Sequence, residues 1–287
     1  MGMNVDELRK MLYEMAKAEP KRRFHSLYDK VCGMDLLREA WKSVRNYHGS
    51  PGVDGMSIED VDRESYAILA GLRSDLTEGR YMPSPLARVY TSKSNGKIRG
   101  LPIPTVRDRI VQAALKMVIE PIFETQFEPY SFGFRPGKSA HDAVNEVARY
   151  LYYICQHEID ADIRGCFDNI PRIRLMEQIF KRISDCSVLK LIRQILDTDI
   201  MEDIEIVNTE KGTPRGPCCL GSLRTYSLTK NRAGQGGFPL GVCRHCQHDK
   251  AEFAGQSSPR NLCNVIFKNP AKDRKRNIQS EVLTHGP

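Results

Sequence analysis

Two short segments hold the residue types that metal-dependent phosphoryl transfer uses. Ser131-Phe-Gly-Phe-Arg-Pro-Gly-Lys-Ser-Ala-His141 is a Gly- and Pro-locked turn in which Arg135, Lys138 and His141 sit among aromatic rings. Asp160-Ala-Asp-Ile-Arg-Gly-Cys-Phe-Asp-Asn-Ile170 follows, with Asp162 near the end of an alternating apolar and acidic run. A carboxylate at a strand end is a rigid mount for a divalent ion. Polymerising nucleotidyl transfer holds two such ions about 3.5–4 Å apart, one activating a 3′ hydroxyl and the other stabilising pyrophosphate. On spacing alone, an Asp on a strand face is more often a solvated residue or an ion-pair partner. Cations beside aromatic rings suit a nucleic-acid strand, with phosphates on the charges and bases on the rings. The same loop reads equally as a rigid turn built by Gly133, Pro136 and Gly137. Lys93 and Arg99 flank Ser94-Asn-Gly96, and two cations on a hairpin can close over a triphosphate. Their bland reading is an ordinary solvated hairpin.

The elements that must position these residues follow from periodicity. Val5, Leu8, Met11, Leu12 and Met15 predict a helix over 5–18, and a second is expected from about Leu36 to Tyr47. Gly49-Ser-Pro-Gly-Val-Asp-Gly55 breaks any helix and reads as a tight turn in which Asp54 bonds backbone amides. One helix is expected over 60–77, and a hairpin over 86–103 around the Asn-Gly turn. Thr105-Val-Arg-Asp108 is a variant capping box that opens an apolar helix, with a kink expected at Pro121. Ser139-Ala-His-Asp142 opens the next in the same way. Ile159, Ala161 and Ile163 alternate with Asp160 and Asp162 as in a strand, and two amphipathic helices follow around 175–183 and 189–196.

These segments, in this order, resemble the reverse transcriptase domain of group II intron-encoded proteins. The likeness covers about residues 20 to 216 and is most specific at Phe132-Gly-Phe-Arg-Pro-Gly137. It implies an α+β fold: the fingers and partial palm of a right-hand polymerase, followed by a mostly irregular C-terminal tail. By resemblance Asp162 is the metal-ligating, catalytic carboxylate, and the backbone carbonyl of Ile163 is a second ligand for Mg²⁺. Phe167 falls on the bulky residue that excludes a 2′ hydroxyl, although plain core packing would also explain it. Lys93 and Arg99 fall on the nucleotide-binding cations of the fingers hairpin. Arg135, Lys138 and His141 are the expected nucleic-acid contacts. The sequence departs at Gly100-Leu-Pro102, where the family usually reads Pro-Leu-Gly. The implied partners are group II intron RNA, an RNA template and a DNA primer, and the implied roles are reverse transcription, intron splicing and mobility.

The resemblance stops near Gly216. Gly212-Thr-Pro-Arg-Gly216 places Arg215 where a nucleotide-side Gln is usual, and Arg is not a neutral replacement for it. The family's Tyr-Ala-Asp-Asp turn is absent, and no adjacent Asp pair occurs in residues 217–287. The organisation expected is an N-terminal extension and helical fingers segment over 1–80, hairpin and helices over 81–150, partial palm over 151–216, and a non-homologous, disordered tail over 217–287. A frameshift or deletion would give this pattern, with a catalytically incomplete enzyme as one reading and a non-catalytic RNA-binding remnant or pseudogene product as the alternative. The tail's Cys243-Arg-His-Cys246, with His248, would suit a zinc knuckle, but the spacing of a second ligand pair fits no standard pattern.

Composition narrows the rest. Residues 1–216 hold 32 Lys and Arg against 32 Asp and Glu, so the whole net charge of +7 lies in residues 217–287. Nucleic-acid binding by the body must therefore come from local clusters such as Lys21-Arg-Arg23. The charged start shows no secretory signal, no run is apolar enough for a bilayer, and the nine Cys form no compact framework, so a reducing cytoplasm is the expected setting.

Overall fold

The computed structural model describes residues 4–47, 49–92, 98–153, 159–160, 170–202, 205–207 and 265–266. Contacts divide the chain into two units: Met1–Gln126 with Gly165–Arg224, and Phe127–Arg164 with Thr225–Pro287. Among the described residues no helix is long and apolar enough to cross a membrane.

The first unit is built around α6 (Val106–Glu124), against which α1 (Val5–Ala18), α2 (Tyr28–Val31), α3 (Met34–Arg45) and α5 (Ser65–Thr77) pack. A helix covered from so many sides must be apolar around most of its circumference. Ile110, Val111, Ala114, Leu115, Val118, Ile119, Ile122 and Phe123 of α6 are accordingly buried. Buried Asp108, Gln112 and Glu120 are the polar exceptions, and Glu120 is paired with Arg9 of α1 at 3.2 Å and with Lys116 at 3.5 Å. The helix continues through Pro121 to Glu124.

Leu8, Leu12 and Ala16 are the buried stripe of α1, and Leu37, Ala40, Trp41 and Val44 serve α3. The single helix expected over 60–77 is two, α4 (Ile58–Arg63) and α5, divided where Glu64 adopts φ −114° and ψ 19°. Buried Ile58, Val61, Leu69, Leu72 and Leu76 keep one helical phase through the break, so spacing could not reveal it.

The hairpin forms as expected, with β1 (Leu86–Ser92) antiparallel to β2 (Ile98–Ile103) in the register Ala87↔Ile103 to Ser92↔Ile98. Its neighbours come from far along the chain. After α8 (Arg172–Phe180) and α9 (Cys186–Leu196), β4 (Ile200–Glu202) joins β1 in parallel and β5 (Glu205–Val207) pairs back on β4, in the order β2-β1-β4-β5. Phe24, before α2, bridges in parallel to Ile183.

The second unit holds α7 (Ala140–Tyr153), β3 (Ile159–Asp160) and β6 (Val265–Ile266). The sequence predicts that the strand over Ile159–Ile163 lacks the family's antiparallel partner bearing an Asp pair and stays unpaired. The structure corrects the second part at its first two residues, where Ile159 pairs with Ile266 and Asp160 with Val265 of a segment that carries no Asp pair. An unpaired strand edge recruits extended β-branched residues, which the tail supplies at these two positions.

Candidate nucleic-acid interface

In the first unit the hairpin stands on a buried carboxylate. Asp108, in the first turn of α6, accepts hydrogen bonds from the Tyr81 hydroxyl at 2.7 Å, the Ser84 amide at 3.0 Å and the Thr105 hydroxyl at 2.7 Å. Ser84 precedes β1 and Thr105 follows β2, so one side chain ties both feet of the hairpin to the helix. Burial pushes the Asp108 carboxyl above its ordinary value, and the three donors offset this only in part. Thr105 also caps α6 by accepting from the Asp108 amide at 3.2 Å.

The loop over 49–55 closes against the same corner. A Cβ on Gly52 would lie 2.6 Å from the Thr105 Cα and 2.7 Å from its nitrogen, so only glycine allows this approach. Gly55 takes φ +67°, and the Asp54 carboxylate accepts from the Met56 amide at 3.2 Å, which is the turn the sequence predicts. Arg109 fastens the loop by donating to the carbonyl oxygens of Ser50 and, at 3.0 Å, of Pro104.

In the second unit the Phe-Gly-Phe-Arg-Pro-Gly loop is stapled from inside. Arg135 donates through Nη1 to the carbonyl oxygens of Ser131 at 2.7 Å and Glu128 at 2.9 Å, and its guanidinium carbon lies 5.1 Å from the centre of the Phe127 ring. Phe134 and Gly137 take left-handed φ values of 56° and 68°. Arg135 thus performs the structural task that the sequence left open beside a binding role.

Lys138 and His141 are exposed at the start of α7, and the Lys138 ammonium is 5.4 Å from the centre of the Phe132 ring. Ser139 and Asp142 form the predicted reciprocal cap: the Asp142 carboxylate accepts from the Ser139 amide at 2.8 Å, and the Ser139 hydroxyl accepts from the Asp142 amide at 3.2 Å. The Ser139 hydroxyl and amide hold the Asp142 carboxyl below its usual range. The same helix brings Tyr150 against Tyr130, hydroxyl to hydroxyl at 2.5 Å with the rings edge to face, and leaves Tyr152 exposed. A fixed turn with exposed cations beside aromatic rings can take a phosphate on the charge and a base on a ring.

Of the other predicted residues, Arg99 occupies the β2 position across from Thr91. Lys93, Asp162, Ile163, Phe167, Arg215 and the tail's Cys and His residues lie outside the described residues. Among the described residues no group of three or more His, Cys, Asp or Glu is arranged to hold a metal ion. Spacing rules pass over Tyr81, Arg88 and Glu202, which fix the hairpin. Arg88 and Glu202 are 114 positions apart and carry no local signal.

Residues 91–223 match the family model described as reverse transcriptase (RNA-dependent DNA polymerase). The chain is 33% identical over 220 residues to protein YkfC of Escherichia coli K12, covering 75% of this chain and 58% of that protein. It is 32% identical over 194 residues to the group II intron-encoded protein LtrA of Lactococcus lactis, covering 67% of this chain and 32% of LtrA. Nuclear intron maturase 2 of Arabidopsis thaliana is 30% identical over 174 residues, which are 53% of this chain and 23% of the maturase. Among solved structures, a chain of a Cas6-RT-Cas1–Cas2 complex shares the fold with a TM-score of 0.50 at 19% identity, over 75% of this chain and 36% of that one.

Proposed function

Since this chain belongs to the group II intron-encoded reverse transcriptase and maturase family, we propose that it binds structured intron RNA and a nucleoside triphosphate but does not by itself extend a primer. The observation that carries this reading is the Arg135-stapled loop, which holds Lys138 exposed beside Phe132, with His141 exposed in the first turn of α7. RNA lies along this loop through its phosphates, in an electrostatic and therefore salt-sensitive contact. The triphosphate sits at the hairpin between Lys93 and Arg99, with Phe167 and Arg215 at the sugar and base.

Asp162 and the carbonyl of Ile163 would hold Mg²⁺, which when bound activates the primer hydroxyl and neutralises the leaving pyrophosphate. The chain supplies one such carboxylate, and residues 217–287 contain no adjacent Asp pair to complete the set. Splicing, mobility and the choice of intron RNA follow from the same reading as roles of the RNA contact. Primer extension on an RNA template with Mg²⁺ or Mn²⁺ tests it. No product is expected from the purified chain. Extension that disappears in Asp162→Ala would overturn the claim of catalytic incompleteness.

A further inference from the structure

We propose that the open groove between α8 and α9 is a docking site for an acidic amphipathic helix of a protein partner, which buries its apolar face on the floor of the groove and sets its carboxylates on cations at the two ends. The groove belongs to the first unit. Its apolar stripe, its charge and its chemistry each bear on the occupant.

α8 carries more apolar surface than its own packing uses. Leu175 and Ile179 are its buried stripe. Ile173, Met176 and Phe180 form a second stripe at helical spacing, with Ile173 74% and Phe180 54% exposed. Together with the half-buried Leu189 of α9 they line an open groove of about 330 Å³. A contiguous exposed apolar stripe marks a contact surface.

The ends of the groove are positive and its middle is neutral. Beyond the C-terminal end of α8, the Phe24 amide donates to the Arg182 carbonyl at 2.7 Å and the Phe24 carbonyl accepts from the Ser184 amide at 2.8 Å. This pairing sets the Arg23 guanidinium 4.2 Å from the centre of the Phe180 ring. Lys181, at the same end, donates to the Gln178 side-chain oxygen at 3.0 Å. Among the described residues neither of these two exposed cations is paired with a carboxylate. At the other end Arg172 and Arg193 share the single carboxylate of Asp197, at 3.1 and 3.6 Å. Between the ends Glu177 is matched by Arg174 at 3.4 Å.

This charge pattern selects the occupant. α8 is nine residues long, about 13 Å. A helix laid along it places apolar residues at i, i+3 and i+7 on the stripe and carboxylates at both ends. A nucleic-acid strand is a poorer match. One face of the Phe180 ring is already covered by Arg23, and the rest of the apolar floor is aliphatic, with no ring on which a base could stack.

Fluorescence anisotropy tests the inference, with the full chain titrated into a labelled, end-capped helical peptide of about 16 residues carrying Leu at i, i+3 and i+7 and Glu at both ends. Two control peptides carry Lys for Glu, or Ala for Leu. The parent should bind the acidic apolar peptide at least about tenfold tighter than either control. Ile173→Ser should weaken that binding about tenfold with thermal unfolding as in the parent, because the side chain is exposed. Arg23→Glu with Lys181→Glu should reverse the preference toward the Lys peptide, which a loss of folding would not do. No binding, equal binding of the three peptides, or no reversal in the double variant overturns the proposal. A short single-stranded RNA that loses as much affinity as the peptide in Ile173→Ser would make the groove a nucleic-acid surface and overturn it as well.

Discussion

Asp185 shows how much one side chain can organise. Its Oδ1 caps α9 by accepting from the amides of Ser187 at 3.0 Å and Val188 at 3.1 Å, and its Oδ2 accepts from Leu27 at 2.7 Å and Tyr28 at 2.9 Å at the head of α2. Burial pushes this carboxyl up, but four amide donors together hold it below its ordinary 3.8. A folded value below the unfolded one means stability that is present above the unfolded value and lost as pH falls through the folded value. Asp185→Ala should cost about 1–3 kcal/mol near neutrality, shrinking under acid, as read from urea midpoints across pH. A constant cost down to strong acid would sink the assignment. Asp108 has the opposite sign: burial raises it, so its contribution to stability declines as pH rises from 3.8 through the folded value, then levels. Asp108→Ala strands three buried donors and should cost about 3 kcal/mol in the same midpoints. Asp108→Asn should cost far less, because the Tyr81 hydroxyl can turn and accept from the new amide.

At the scale of elements, two glycines predict opposite signs. Gly52 lies against the Pro104–Thr105 backbone that leads into α6, and backbone cannot step aside as a flexible side chain can. Gly52→Ala should destabilise by about 1–3 kcal/mol through overpacking. Gly71 lies inside α5, and a Cβ added there would meet nothing within 4 Å, so Gly71→Ala should stabilise by about 0.5–1 kcal/mol through helix propensity. Chemical denaturation of the two variants checks both, and equal effects would contradict the packing at the loop. Arg182 acts between elements in the same manner: nearly fully buried, it donates to the carbonyl oxygens of Ala16, at 3.4 Å, and of Pro20 at the C-terminal end of α1. It satisfies groups that a helix end leaves without partners and complements the negative end of its dipole.

For the whole molecule, charge and fold separate along the chain. Residues 1–216 are neutral and the tail carries +7. RNA binding should therefore have two parts: a strongly salt-dependent one removed with residues 217–287, and a smaller one that survives truncation and is lost in Lys138→Ala with His141→Ala. Filter binding to a structured RNA over a salt series checks this. Complete loss of binding on truncation would show that the loop is not the surface. The sequence by itself determined most helices of the first unit, though neither α2 nor the break between α4 and α5, the two strands of the hairpin, the caps at Thr105 and Ser139, and the family, because each is written in residues close together along the chain. It also placed Lys138 and His141 beside an aromatic loop, since one turn holds them all. What the tertiary structure alone decided were the long-range partners: β4 beside β1, Val265 and Ile266 beside β3, Glu202 against Arg88, and Asp185 across two helix starts. Such contacts depend on which distant segment arrives at an open edge or an unsatisfied donor, and periodicity records which face is buried without recording what covers it.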